Sequence, residues 1–248
     1  MKSNPEILIF DNAEELARAA AVKFLEHSQS FIARQGRFSV ALSGGNTPRR
    51  VYELLATDEF RNQINWSEVH IFFGDERPVP HNHPASNFGM AMATLISRVP
   101  IPATNFHPIR GEGDPHANAR LYEKELKTFF PNVTWPRFDL VLLGMGEDGH
   151  TASLFPGTGA LNEHSAWVFA NWVENLGEFR ITLTAPAINA AANVLFLVTG
   201  EKKAVVLAEI FGERLEPGRF PAQLIQPHEG SLLWMVDPAA AQIGGVEK

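Results

Sequence analysis

Asp148 and His150 stand two residues apart in the run Gly144-Met145-Gly146-Glu147-Asp148-Gly149-His150, so a carboxylate and an imidazole can face one cleft. A carboxylate can hold an imidazole in one tautomer and raise its basicity, which suits it to activate water as a general base. Three further clusters could act with this pair. In Ser43-Gly44-Gly45-Asn46-Thr47-Pro48, hydroxyls and glycines lead into a helix start. Backbone N–H groups there bind phosphate, and glycine lets the ligand approach; the plain alternative is that Thr47 only caps its helix. In Gly74-Asp75-Glu76-Arg77 two carboxylates adjoin a guanidinium, as a solvated ion pair or as an arginine kept free to meet substrate charge. Arg180, and Lys203 in Gly200-Glu201-Lys202-Lys203, add cations to the set.

Other chemistries fit these residues less well. Gly144, Gly146 and Gly149 also spell G-x-G-x-x-G after an apolar run, half the context of a dinucleotide-binding turn. That turn needs a full helix next, and Pro156, Gly157 and Gly159 interrupt the chain almost at once. Ser43 lacks the first glycine of the G-x-S-x-G elbow expected of an esterase nucleophile. His81 and His83, or His150 beside Glu147 and Asp148, hint at metal, but no H-E-x-x-H motif is present. No metal and no cofactor is expected.

Each cluster needs an element to deliver it. Apolar runs predict strands at 7–10, 38–42, 69–73, 138–143, 180–183, 194–198 and 232–236. Leu16, Ala20, Phe24 and Phe31 recur at helical spacing, with Asn12 as cap, Glu15 three residues on, and Gly36 as the stop. Pro48 reads as the first position of a helix reaching Ala56, Ser86 as the cap of another, and Pro115 as the start of a third. Further helices are expected near 187–191 and 202–210. Alternating strands and helices predict an α/β fold, a mainly parallel sheet with helices on both faces. Ligands of such sheets bind where strands end in loops.

Composition narrows the partners. The sequence of 248 residues is 45% hydrophobic, with prolines and glycines scattered among loops, so residues 1–248 read as one continuous domain. A net charge of −7 argues against nucleic acid and anionic membrane, both of which need a basic surface. An anionic small molecule is still compatible if a few cations and helix N-termini converge in one cleft. The chain has no cysteine, its longest apolar runs are strand-sized, and Met1 to Glu6 lack a signal peptide's apolar core. The expectation is a cytoplasmic protein.

With these residues in hand, the chain resembles the 6-phosphogluconolactonases. The likeness rests on Ser43 to Pro48, Gly74 to Arg77 with Ser86-Asn87, Gly144 to Pro156, Arg180 to Leu183, Gly200 to Lys203, and Pro221-Ala222 with Gln226-Pro227-His228. The sister glucosamine-6-phosphate deaminases typically carry Asp-Glu-Tyr in place of Asp75-Glu76-Arg77, and a glutamate-bearing run in place of Thr151-Ala152-Ser153-Leu154-Phe155-Pro156. The resemblance implies a Rossmann-like fold of the sugar-phosphate isomerase type. It also implies hydrolysis of a phosphorylated sugar lactone, with His150 as general base, Asp148 orienting it or shaping its loop, and Arg77 on the oxyanion or ring-oxygen side. Ser43, Gly44, Gly45, Thr47, Arg180 and Lys203 would hold the phosphate. Glu147 stands where many lactonases have proline. A deaminase, or a sugar-phosphate sensor without turnover, is the alternative.

Overall fold

The computed structural model describes residues 6–242. Its central feature is a six-stranded parallel sheet built from β1 (Glu6–Ile9), β2 (Phe38–Leu42), β3 (Val69–Phe73), β5 (Leu140–Leu143), β8 (Asn193–Val198) and β9 (Ser231–Val236), in the order β1-β9-β8-β5-β2-β3. Every residue of β2 and β5 is buried, so side chains on both faces are covered, as in a doubly wound sheet.

The two faces can be told apart. On one, Phe38 meets Phe24 of α1 (Ala13–Gln35), ring centroids 5.3 Å apart. On the other, Phe72 packs against Phe129 at the end of α5 (Pro115–Phe129) and against Phe130 and Phe138. Local signals define α1 well: the Asn12 side chain accepts from the Glu15 N–H at 2.9 Å, and Gly36 closes the helix at φ 77°. Asp114 caps α5, with Pro115 in its first turn.

Beside the main sheet lies a second one, three-stranded and antiparallel. β4 (Asp75–Glu76) pairs with β7 (Glu178–Leu183), and β7 with β6 (Val168–Val173). The strand predicted around Arg180 therefore belongs to this sheet and not to the parallel one. β6 was not predicted, since Ala170-Asn171-Trp172 breaks up its apolar run. α2 (Asn46–Leu55) starts two residues before Pro48, with Gly45 at its cap in a conformation, φ 106°, that side-chained residues rarely adopt. α3 (Asp58–Arg61), α4 (Asn87–Thr94), α6 (Ala185–Asn189), α7 (Ala204–Phe211) and α8 (Pro238–Ala241) complete the helices. Ser86 caps α4 as expected, accepting from the Gly89 N–H. One apolar core runs through both sheets, including Leu183, Val168 and Phe196.

Strand order explains where a site can form. From β2 the chain passes outward to β3, then returns to lay β5 on the other side of β2 and continues through β8 toward β9. The loops after β2 and β5 thus lead away from each other, which opens a crevice at the carboxyl end of the sheet. Two hydroxyls finish that edge. Tyr52 Oη donates to the Ser43 carbonyl at 2.8 Å and accepts from the Ser43 N–H at 3.0 Å. Tyr122 Oη does the same for Phe73, donating at 3.1 Å and accepting at 2.9 Å. These are the only two tyrosines in the sequence.

Both phenols are fully buried, and burial pushes them well above the usual tyrosine range, so they remain neutral donors. Replacing Tyr52 by Phe leaves a buried N–H and a buried C=O unpaired. Tyr52→Phe should lower the free energy of unfolding by about 1–3 kcal/mol in a denaturant titration, and a change below about 0.5 kcal/mol would contradict this role.

Candidate active site

The crevice is a cleft of about 410 Å³, lined by Ser43 to Pro48 after β2, Asp75 and Arg77 after β3, Gly144 to Glu147 with His150 and Ala152 after β5, and Thr199 and Lys203 after β8. Four adjacent strands, β8, β5, β2 and β3, thus deliver the clusters that the sequence scatters over 161 positions, from Ser43 to Lys203.

In the β5 loop, Asp148 both touches His150 and builds the turn. His150 Nδ1 donates to Asp148 Oδ1 at 2.6 Å, and the His150 N–H donates to the same oxygen at 3.1 Å. With the proton held on Nδ1, Nε2 carries the free lone pair. Burial pushes the Asp148 carboxyl up, but the hydrogen bond and charge of His150 outweigh it and leave it below its usual range. Phe155 stacks on the imidazole at 4.1 Å and fixes its plane. Gly146 has a steric reason to be glycine, because a Cβ there would lie 2.1 Å from His150 Nδ1. No dinucleotide-type helix follows; the chain turns through Ala152, at the unusual φ of 46°, into a bridge between Thr151 and Leu154.

After β2, α2 begins with its N-terminus on the cleft and no acidic residue in its first turn. Thr47 does not cap that helix; its Oγ1 lies 2.7 Å from Oγ1 of Thr199 at the end of β8. Ser43 Oγ is buried beside the cleft with no hydrogen-bond partner among the described residues. Lys203 ends a short 3-10 turn that runs into α7. Desolvation lowers its pKa, opposed by the charges of Glu147 and Asp148.

After β3, neither acid is a solvated partner for Arg77. Glu76 is fully buried, and its carboxylate accepts from the N–H groups of Arg77 (2.8 Å), Asn87 (2.8 Å) and Phe88 (2.9 Å) and from Ser86 Oγ (3.0 Å). It closes the N-terminus of α4 and pins the Arg77 backbone. Burial holds its pKa above the usual carboxylate range despite those bonds. Arg77 donates from one guanidinium nitrogen to the Ala85 carbonyl at 2.5 Å, while its buried Nε has no partner among the described residues.

Two predicted residues are not on the lining: Asp148, which reaches it only through its bond to His150, and Arg180. On β7, one step past the β4 pairing, its guanidinium engages Glu178 and is absent from the lining. His81 and His83 are occupied elsewhere, at the Ile109 carbonyl and the Ala85 N–H. Among the described residues no three His, Asp or Glu side chains gather as metal ligands would.

The sequence matches the family model for glucosamine-6-phosphate isomerases/6-phosphogluconolactonase over residues 11–234. The chain belongs to this family. A 6-phosphogluconolactonase of Synechocystis sp. is 42% identical over 241 residues, 96% of this chain and 98% of that one. The solved 6-phosphogluconolactonase of Trypanosoma cruzi, 29% identical, superposes with a TM-score of 0.86 over 98% of this chain and 97% of its own. A monomeric glucosamine-6-phosphate deaminase reaches a TM-score of 0.81 over 96% of this chain and 100% of its own, at 19% identity, a likeness of fold alone.

In this family member the cleft also contains Asn46, Thr199 and Ala152, to which the sequence assigned no role. Thr199 had a legible signal, since it directly follows an apolar strand run and precedes Gly200. Ala152 had none, because only its backbone conformation is unusual. Glu76→Ala would leave the four donors around α4 without an acceptor. It should cost at least about 3 kcal/mol of unfolding free energy; a loss under about 1 kcal/mol would show that Glu76 does not organise the Arg77 loop.

Proposed function

We propose that the chain hydrolyses 6-phosphoglucono-δ-lactone to 6-phosphogluconate, the lactonase step of the oxidative pentose phosphate pathway. The observation that carries this reading is the Asp148–His150 pair, with Nδ1 committed to the carboxylate, in a cleft that also holds Arg77, Lys203 and the N-terminus of α2.

The chemistry follows from those positions. Nε2 of His150 takes a proton from water as its oxygen attacks the lactone carbonyl carbon. Negative charge gathers on the former carbonyl oxygen, where Arg77 is the donor. The tetrahedral centre then collapses, the bond to the ring oxygen breaks, and the imidazolium returns its proton to that oxygen. General-base help of this kind contributes about 10²–10⁴ in rate, and one positioned oxyanion donor about 10²–10³. A lactone is an activated ester, so no covalent intermediate and no metal or cofactor is required.

Phosphate would be bound by Ser43, Gly44, Gly45 and Thr47, by the N–H groups of α2 and by Lys203. The unpaired Ser43 Oγ supports this, since a buried hydroxyl without a partner loses free energy unless a ligand supplies one. Arg180 is left out of this set because Glu178 already neutralises it. The deaminase reading is not favoured: residues 151–156 contain no carboxylate to complete its acid–base set. A cytoplasmic setting suits a cysteine-free chain in which no described helix is long and apolar enough to cross a membrane.

In a fresh-lactone assay run beside a glucosamine-6-phosphate deamination assay, the protein should turn over the lactone alone. His150→Gln should cut kcat by at least about tenfold, and Lys203→Ala should mainly raise KM for the phosphorylated lactone. Deamination, or binding of 6-phosphogluconate with no hydrolysis above background, would overturn the reading.

A further inference from the structure

The antiparallel sheet carries none of the groups used in the reaction, yet each of its strands sends one buried polar side chain to the same residue. Ser153 Oγ donates to Asp75 Oδ2 of β4 at 2.5 Å. The Ser153 N–H donates to Thr182 Oγ1 of β7 at 3.2 Å, and the Ser153 carbonyl accepts from Asn171 Nδ2 of β6 at 2.9 Å. Ser153, Asn171 and Thr182 are at most 1% exposed. The register puts the three partners on one face of the sheet: Asp75 is opposite Thr182, Thr182 is opposite Phe169, and Asn171 lies two residues beyond Phe169.

We propose that Ser153 is a positioning residue for His150, held by a three-point clamp that is the main task of the second sheet. Ser153 lies three residues after His150, and the intervening chain carries the left-handed Ala152, a conformation costing about 1–2 kcal/mol that needs external support. Its anchors are Thr151 Oγ1, which donates to the Gly144 carbonyl at 2.9 Å, and the three arms on Ser153. The Asp75 arm extends the clamp to the rest of the cleft. Asp75 Oδ1 accepts from Asn87 Nδ2 at 3.0 Å, and Asn87 Oδ1 fills the space at Gly44, where a Cβ would come within 1.9 Å of it. One buried carboxylate therefore sets the His150 loop, the Arg77 strand and the phosphate loop at fixed mutual distances. Misplacing a reacting group by about 1 Å can cost as much as 10²-fold in rate.

The inference rests on the lactonase reading, so its test pairs turnover with a readout that needs no turnover. Ser153→Ala removes one arm, Thr182→Val a second. Each should lower kcat by about tenfold while the Kd for 6-phosphogluconate stays within about twofold, and the double variant should lose little more than either single one, because the arms act as one device. Backbone hydrogen exchange in residues 144–152 should rise about tenfold in Ser153→Ala, whatever the reaction proves to be. An unchanged exchange rate, a kcat within twofold of the parent, losses that simply multiply, or a Kd weakened as much as kcat falls would each overturn the clamp. A parent protein without lactonase turnover but with exchange that rises as stated would count against the reaction and leave the clamp standing.

Discussion

Polar loops that leave the buried edge of a sheet must bring their own hydrogen-bond partners, and this constraint shapes the whole cleft. At the ends of β2 and β3 the partners are two tyrosine hydroxyls; at the start of α4 the partner is a buried carboxylate. In the His150 loop they are Asp148, Gly144 and the arms from the second sheet. Against so complete a set of pairings, the exceptions are informative. Among the described residues, the buried Ser43 Oγ and Arg77 Nε lack partners, and both residues line the cleft.

The same economy accounts for an acidic protein that takes a dianionic substrate. The net charge of −7 is spread over the surface, whereas the cleft concentrates Arg77, Lys203 and the uncompensated N–H groups of α2. Two carboxylates near these cations are kept from competing. Asp75, on the lining, is bound by Ser153 and Asn87, and Asp148, which reaches the cleft only through His150, is bound by that residue. Glu147 is different: exposed and near Lys202 at 3.9 Å, it leaves a negative charge at the rim.

Much of this was legible in the sequence, for a physical reason. Strands covered on both faces read as continuous apolar runs, so β2, β3, β5, β8 and β9 announce themselves, and polar residues after the first four line the cleft. The caps at Asn12 and Ser86 and the first-turn Pro115 are local chemistry and equally plain. The second sheet was hidden because its information is non-local. β4 is two residues long, β6 is interrupted by Asn171, and Asn171 is there to reach Ser153 and not to suit its own strand. Arg180 has a real strand signal, but its strand lies in the second sheet, where Glu178, two residues earlier on the same face, engages it and the cleft lining does not include it. That Asp75 and Glu76 are buried, and neither is the ion-pair partner of Arg77, followed from tertiary contacts alone.

If Asp148 holds His150 as the Nδ1–H tautomer, Nε2 is left free to act as the base. Nitrogen-15 NMR of ring-labelled histidines, with His150 assigned by its loss in His150→Gln, measures this directly. A proton on Nδ1 and a bare Nε2 are expected in the neutral ring. A neutral ring protonated on Nε2, or one exchanging between the two forms in comparable amounts, would contradict this.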